Sequence, residues 1–153
     1  MRDIRPALRS FLLADATVSG LVGGERIYHV RLPQGKVEPS AVYNKISEFG
    51  DYHMLGDSGL GHMRMQIDAW AQNADAAVEL ANAIYDRISG ASGLMDDVVV
   101  QGVFLDSGRD DYDAVTKMFR ISRDFIIWYG AEDAPVSPDS PDAQSDAMPM
   151  GMP

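Results

Sequence analysis

"LGDSGLGHMRMQIDAWA", residues 55–71, falls into two halves that lead to different proteins. The first half holds Gly56, Asp57, Ser58 and Gly59, the tetrapeptide that surrounds the nucleophilic serine in one large class of proteases. In the second half Met63, Met65, Ile67 and Ala69 alternate with His62, Arg64, Gln66, Asp68 and Trp70. Side chains of a strand point to opposite faces in turn, so this half predicts a strand with one apolar face. If Ser58 is a nucleophile the chain is an enzyme; if it is a turn ahead of a strand, the chain is a building block.

A protease serine needs a histidine base, a buried aspartate, an oxyanion hole and two packed barrels to assemble them. Here Leu60 replaces the second glycine of that signature, and the chain is too short for two barrels. His29, His53 and His62 are the available bases, and His53 and His62 lie in or beside the same polar segment. The strand–nucleophile–helix elbow requires G-x-S-x-G followed by a helix. Leu60 breaks that pattern too, and a strand follows. Asp, Ser and Gly gather in turns for local reasons of hydrogen bonding and positive φ, so Ser58 reads as a turn residue.

At 153 residues the chain has the size of one domain. It has no cysteine, which removes disulfides, thiolate metal sites and cysteine nucleophiles together. The net charge of -10 argues against gripping nucleic-acid phosphates through a basic face. The N-terminus, "MRDIRPALRSFLLADA", has neither the apolar core of a signal peptide nor the length of a membrane span, so synthesis in a cytoplasm is expected. Residues 130–153, "GAEDAPVSPDSPDAQSDAMPMGMP", hold five carboxylates and no Lys or Arg. That composition cannot bury enough apolar surface to fold alone. The expected division is therefore a folded domain over 1–130 and a disordered acidic tail over 131–153.

Ile4, Leu8, Phe11 and Leu12 share a helical face, with Asp3 placed as its cap and Pro6 in the first turn. A short helical piece over 17–22 stops at Gly23 and Gly24. "RIYHVR" from Arg26 and "SAVYNKISEF" from Ser40 read as strands separated by the loop 33–39. In "NADAAVELANAIYDRISG", residues 73–90, Asn73 can cap a helix whose stripe is Ala77, Leu80, Ala81, Ile84 and Ile88, and Gly90 ends it. "DVVVQGVFLD" from Asp97 and "KMFRISRDFIIWYG" from Lys117 are two further strands, the second apolar on both faces from Phe125 to Tyr129. The fold class is α+β: a largely antiparallel sheet of about five strands, with two main helices packed on one face. Two connections, 50–61 and 107–116, exceed ordinary hairpin turns and read as long hairpin arms.

Asp106, Asp110, Asp111 and Asp113 cluster closely enough to suggest a hard cation. No glutamate closes a calcium loop at the right distance, and Arg109 intrudes, so a solvated acidic arm is the better reading. Met63, Met65 and Met118 read as core filling, and Met148, Met150 and Met152 as part of the low-complexity tail. No phosphate loop or paired-histidine motif occurs, so no catalytic, metal or cofactor residue is assigned and no cofactor is expected.

The succession "RIY", "LPQG", "PSAVYNKIS", "RMQIDAWA", "DAAVELANAIYDRISG", "VQGVFLDSGRDDYD" and "FRISRDFIIWY" resembles the tail-completion, or tail-to-head-joining, family of long-tailed bacteriophages, prophages and gene transfer agents. Gln66, Asp68 and Trp70 are its most specific residues. The acidic Pro-rich tail is a departure. The resemblance implies a structural virion protein: a hexameric ring that caps the head-proximal end of the tail tube, stops its growth and meets the head-tail connector protein. DNA passes through its lumen without specific binding. The implied location is the neck of the virion after synthesis in the host cytoplasm, with no membrane partner. Asp57, Ser58, Arg109, Asp110, Asp111 and Tyr112, on the two arms, are the expected ring or tube contacts, and Trp70 and Trp128 are expected to be packing residues. Another neck component, a head completion or connector protein, is the alternative; a small hydrolase using Ser58 is a remote one.

Overall fold

The computed structural model describes residues 4–35, 38–53, 56–96 and 98–130, with 51–53 and 56–60 described by their backbone alone. The expected acidic tail, residues 131–153, and the proposed cap Asp3 lie outside the described residues. Three helices, α1 (Arg5–Leu13), α2 (Ala16–Leu21) and α3 (Ala74–Ile88), accompany six strands. The strands are β1 (Ile27–His29), β2 (Ser40–His53), β3 (Gly56–Ala71), β4 (Gly93–Met95), β5 (Val98–Asp113) and β6 (Met118–Gly130). They form one sheet in the order β1-β2-β3-β6-β5-β4. Every described pairing is antiparallel except β1 with β2, where Ile27 lies opposite Ala41. The α+β class is as the sequence reading has it; β4, three residues long, is the strand it passes over.

Strand β3 carries out its period. Met63, Met65, Ile67, Ala69 and Ala71 are buried beneath the helices, opposite Ile127, Phe125, Arg123, Ile121 and Phe119 of β6. Strand β6 is central, between β3 and β5, which explains the long apolar run at its end. The helices close this core through polar ties as well as apolar ones. Asn73 caps α3 by accepting a hydrogen bond from the Ala76 amide at 2.7 Å, and Gly90, at φ 76°, supplies the left-handed residue just past its end. Asp15 caps α2 through the Val18 amide in the same way. Arg87, in the last turn of α3, donates to the Phe11 carbonyl at 2.9 Å while its guanidinium lies 3.7 Å from the Phe11 ring centroid. That bond satisfies a carbonyl at the end of α1, a group that a helix leaves unpaired. Arg9 reaches in turn to the carbonyls of Ile27 and Glu25, fixing α1 to the start of β1. The N-cap of α1 is Ile4, which makes no side-chain cap bond; Pro6 stands in the first turn, where its missing N–H costs no helical bond.

The two connections read as long hairpin arms are built mostly of paired strand. Strand β2 continues to His53 and β3 begins at Gly56, so Asp57 and Ser58 belong to a strand, with Asp57 opposite Tyr52, and Ser58 is not a turn residue. Strand β5 likewise runs on to Asp113, leaving a turn of residues 114–117 before β6. Asp113 holds that turn, accepting from the Val115 amide at 3.1 Å and the Thr116 hydroxyl at 3.0 Å. Composition hid these extensions, because a solvated arm carries the same polar residues as a loop. Two of the four long strands are bulged, β2 at 45/47 and 50/52 and β5 at 100/102 and 105/107, and bulges bend and twist a strand.

The fully buried Phe125 packs between β3 and α3, so Phe125→Ala leaves a cavity and is expected to cost about 3–5 kcal/mol. Asn73→Ala removes one cap, about 1 kcal/mol. Urea unfolding followed by circular dichroism ranks the two.

Candidate assembly surface

The helices cover one face of the sheet, so the site question concerns the other face and the hairpin ends. Four polar residues of the helix-free face are nonetheless inaccessible: Ser40 and Ser122 at 0%, Asp68 at 7% and Asp124 at 8% exposure. Long side chains of β3 and β5 reach the two carboxylates. Arg64 of β3 donates to Asp106 of β5 at 2.6 Å and to Asp124 of β6 at 3.2 Å. Arg109 of β5 donates to Gln66 at 2.9 Å and stands 3.7 Å from the other Asp124 oxygen. Gln66 spends its amide on the Asp68 carboxylate at 3.0 and 3.3 Å. The result is a lattice of alternating charge across β3, β6 and β5. The hydrogen bond to Asp106 pushes the Arg64 pKa further above its ordinary value; the charges of Asp106 and Asp124 add to this and burial opposes it.

Toward the β2–β3 hairpin, the same face turns aromatic. Phe49 of β2 stacks on His62 of β3 at 5.0 Å between centroids, and His62 lies 4.3 Å from Trp128 of β6. On β5 the Phe104 ring lies over Gly102, where a Cβ would come within 2.8 Å of it, and Gly102 pairs with Trp128. Glycine is required at 102 so that this ring can lie flat on the sheet. The row thus crosses four adjacent strands, and Phe49, Phe104 and Trp128 are each about half exposed. Trp128, expected to be a packing residue, packs on one side only.

The expected contact residues separate by strand alternation. Arg109 and Asp111 are on the helix-free face and bind their own sheet, Asp111 receiving Arg120 at 2.9 Å. Asp110 points to the other side, opposite Ile121, and makes no side-chain bond or ion pair among the described residues. Tyr112 shares that side, exposed, with its ring 4.9 Å from Phe119. Asp57 and Ser58 are placed by backbone only, at the far hairpin. Four carboxylates that are neighbours in sequence are therefore dispersed: Asp106 and Asp111 pair with arginines, Asp113 holds a turn, and Asp110 faces away. Among the described residues no group of three or more His, Cys, Asp or Glu could hold a metal ion. Of the serine's candidate bases, His62 is clamped between two aromatic rings and His29 lies 3.3 Å from an Arg5 nitrogen and stacks on Tyr43. Sequence reasoning missed the aromatic row, since its members are far apart in the chain; the signal available was only that each occupies the polar phase of its strand.

In double-mutant cycles, Arg64 and Asp124 are expected to show the larger coupling, because Asp124 is shielded from solvent. The exposed pair Arg120 and Asp111 is expected to couple by about 0.2–1 kcal/mol. Denaturant midpoints of the single and double alanine variants decide the order.

Comparison with known proteins identifies a family and a fold. The family model described as tail completion protein gp17 matches residues 6–130. Among solved structures, a chain of the virion of a native gene transfer agent particle has the same fold, with a TM-score of 0.65 and 19% identity, covering 84% of this chain and 95% of that one. No curated protein matches the sequence. No described helix is long and apolar enough to cross a membrane.

Proposed function

Because the chain belongs to the tail completion protein gp17 family, a family of structural components of phage tails, we propose that it completes the tail by closing into a ring, hexameric in our reading. The ring sits on the head-proximal end of the tail tube, ends tube growth and presents the surface that the head-tail connector protein meets. It acts in the neck of the virion, after synthesis in the host cytoplasm. It performs no catalytic step and uses no cofactor.

The observation that carries this reading is the pair of long hairpins, β2–β3 and β5–β6, which supply the four long strands of the sheet, with α3 packed on β3 and β6. Residues 104–112 of β5 are exposed throughout. Arms of this kind suit head-to-tail contacts, in which one patch of a subunit meets a different patch of the next and rotation closes the ring. Asp57 and Ser58 on one hairpin, and Arg109, Asp110, Asp111 and Tyr112 on the other, are the proposed contacts. Arg109 and Asp111 also brace their own sheet, so Asp110 and Tyr112, free to face outward, carry more of the intermolecular contact. The acidic balance of the chain suits a lumen through which DNA moves without adhering, since like charges repel it. The folded unit in this reading is 1–130, with 131–153 as an acidic appendage.

Purified protein mixed with tail tubes and viewed by negative-stain microscopy tests the proposal. Rings at one end of the tubes are expected, with tubes that no longer elongate. Tubes left open and still growing would overturn it. Asp110→Lys together with Tyr112→Ala is expected to reduce capped ends by about tenfold, equal to about 1.4 kcal/mol of contact energy, without lowering the unfolding midpoint.

A further inference from the structure

At the end of the sheet opposite the aromatic row, the loop after β1 and the tip of the β5–β6 hairpin enclose a cleft of about 610 Å³. Its walls combine apolar side chains, Val30, Leu32 and Val115, with three donors, Arg31, Trp70 and Arg120. The donors are short of acceptors. Among the described residues, the Trp70 indole N–H and the Arg120 Nε–H are buried with no hydrogen-bond partner, although Arg120 Nη2 donates to Asp111, and Arg31 makes no side-chain bond or ion pair. The one carboxylate in the lining, Asp68, is engaged by Gln66. Polar groups shielded from water are costly when unpaired, so an occupant that brings acceptors is favoured. The cleft therefore calls for a segment that is both acidic and apolar.

We propose that the occupant is residues 142–150 of the chain itself, "DAQSDAMPM". Its two carboxylates, Asp142 and Asp146, supply acceptors for the arginines, and Ala147, Met148 and Met150 meet the apolar wall. Length selects this segment from the other acids of the C-terminus. Arg120 lies opposite Trp70 and Gly130 opposite Leu60, so the end of β6 and the cleft are separated by ten residues of strand, about 33 Å. Glu132 and Asp133 are too close to Gly130 to cover that distance. Any chain spans at most about 3.6 Å per residue, so Asp139, nine residues past Gly130, falls just short at about 32 Å, whereas Asp142, twelve residues past it, has length enough to reach the cleft. Tethering raises the local concentration of the segment, so a weak contact suffices. This proposal stands apart from the ring reading, since it concerns one chain alone.

The absence of cysteine makes the test direct. In the full chain, Val115→Cys is combined with Met148→Cys; position 115 is 90% exposed, so the substitution disturbs no packing. The control pair places Glu79→Cys, on the exposed side of α3, with the same Met148→Cys. Under mild oxidation the first pair is expected to form an intrachain disulfide about tenfold faster than the control, the advantage expected of a held tether. Adding Arg31→Glu is expected to remove most of that advantage. Gln34→Cys, at the cleft rim, replaces position 115 if that variant fails to fold. Equal rates for cleft and control pairs, or disulfides formed only between chains, would overturn the proposal.

Discussion

Asp124 is a carboxylate on the bare face of a sheet, nearly out of reach of water, in the middle of the central strand. A shielded charge is tolerated only beside an opposite one with adequate hydrogen bonding. From the two flanking strands, Arg64 hydrogen-bonds one carboxylate oxygen and Arg109 places its charge 3.7 Å from the other. Their reach sets the register: a one-residue slip of β3 or β5 against β6 turns each arginine toward the helices and leaves Asp124 alone. The same slip would expose Met63, Met65 and Ile67 while burying the polar residues between them. Apolar packing on one face and charge pairing on the other therefore demand the same alignment of strands, and neither has to tolerate a conflict imposed by the other.

This agreement accounts for what could be read in advance. The alternation in "HMRMQIDAW" placed β3 and the face it buries, and the stripe from Ala77 to Ile88 placed α3, because both signals are local and periodic. Asn73 and Gly90 marked the ends of α3 by the chemistry that ends helices. The arms were harder. Residues 107–112 lack apolar alternation because that stretch of β5 is exposed on both faces, so burial leaves no period to detect, and the sequence of 56–60 offers no alternation either. Only pairing with a partner strand distinguishes them from loops, and pairing is not a local property. Strand β4 escaped for a related reason: three residues, Gly93 to Met95, are too few to establish a period.

The candidate surface divides along the same line. That Asp106, Asp110, Asp111 and Asp113 form an acidic patch is evident from composition. That alternation sends Asp110 one way and Asp111 the other follows only once the segment is known to be a strand. The difference matters chemically. On a loop the four carboxylates can converge on a cation; on a strand they cannot, and two of them are drawn into ion pairs with Arg64 and Arg120. The aromatic row from Phe49 through His62 and Trp128 to Phe104 depends wholly on strand order, since its members come from four strands.

An arm built as paired strand, in place of loop, also changes the energetics of assembly. Ordering a free loop at an interface costs about 1–2 kcal/mol of conformational entropy per residue, which is subtracted from whatever contacts form. In β5 and β6 that ordering is already done by the ladder from Ser107–Asp124 to Asp113–Met118 and by the Asp113 turn. In the proposed ring, contacts made by Asp110 and Tyr112 therefore count almost in full toward association. Tyr112 is 50% exposed in the single chain, and covering it at a contact removes apolar surface from water. A preformed arm with an exposed aromatic thus gives up little entropy and gains apolar burial when a neighbour covers it, which favours the proposed assembly.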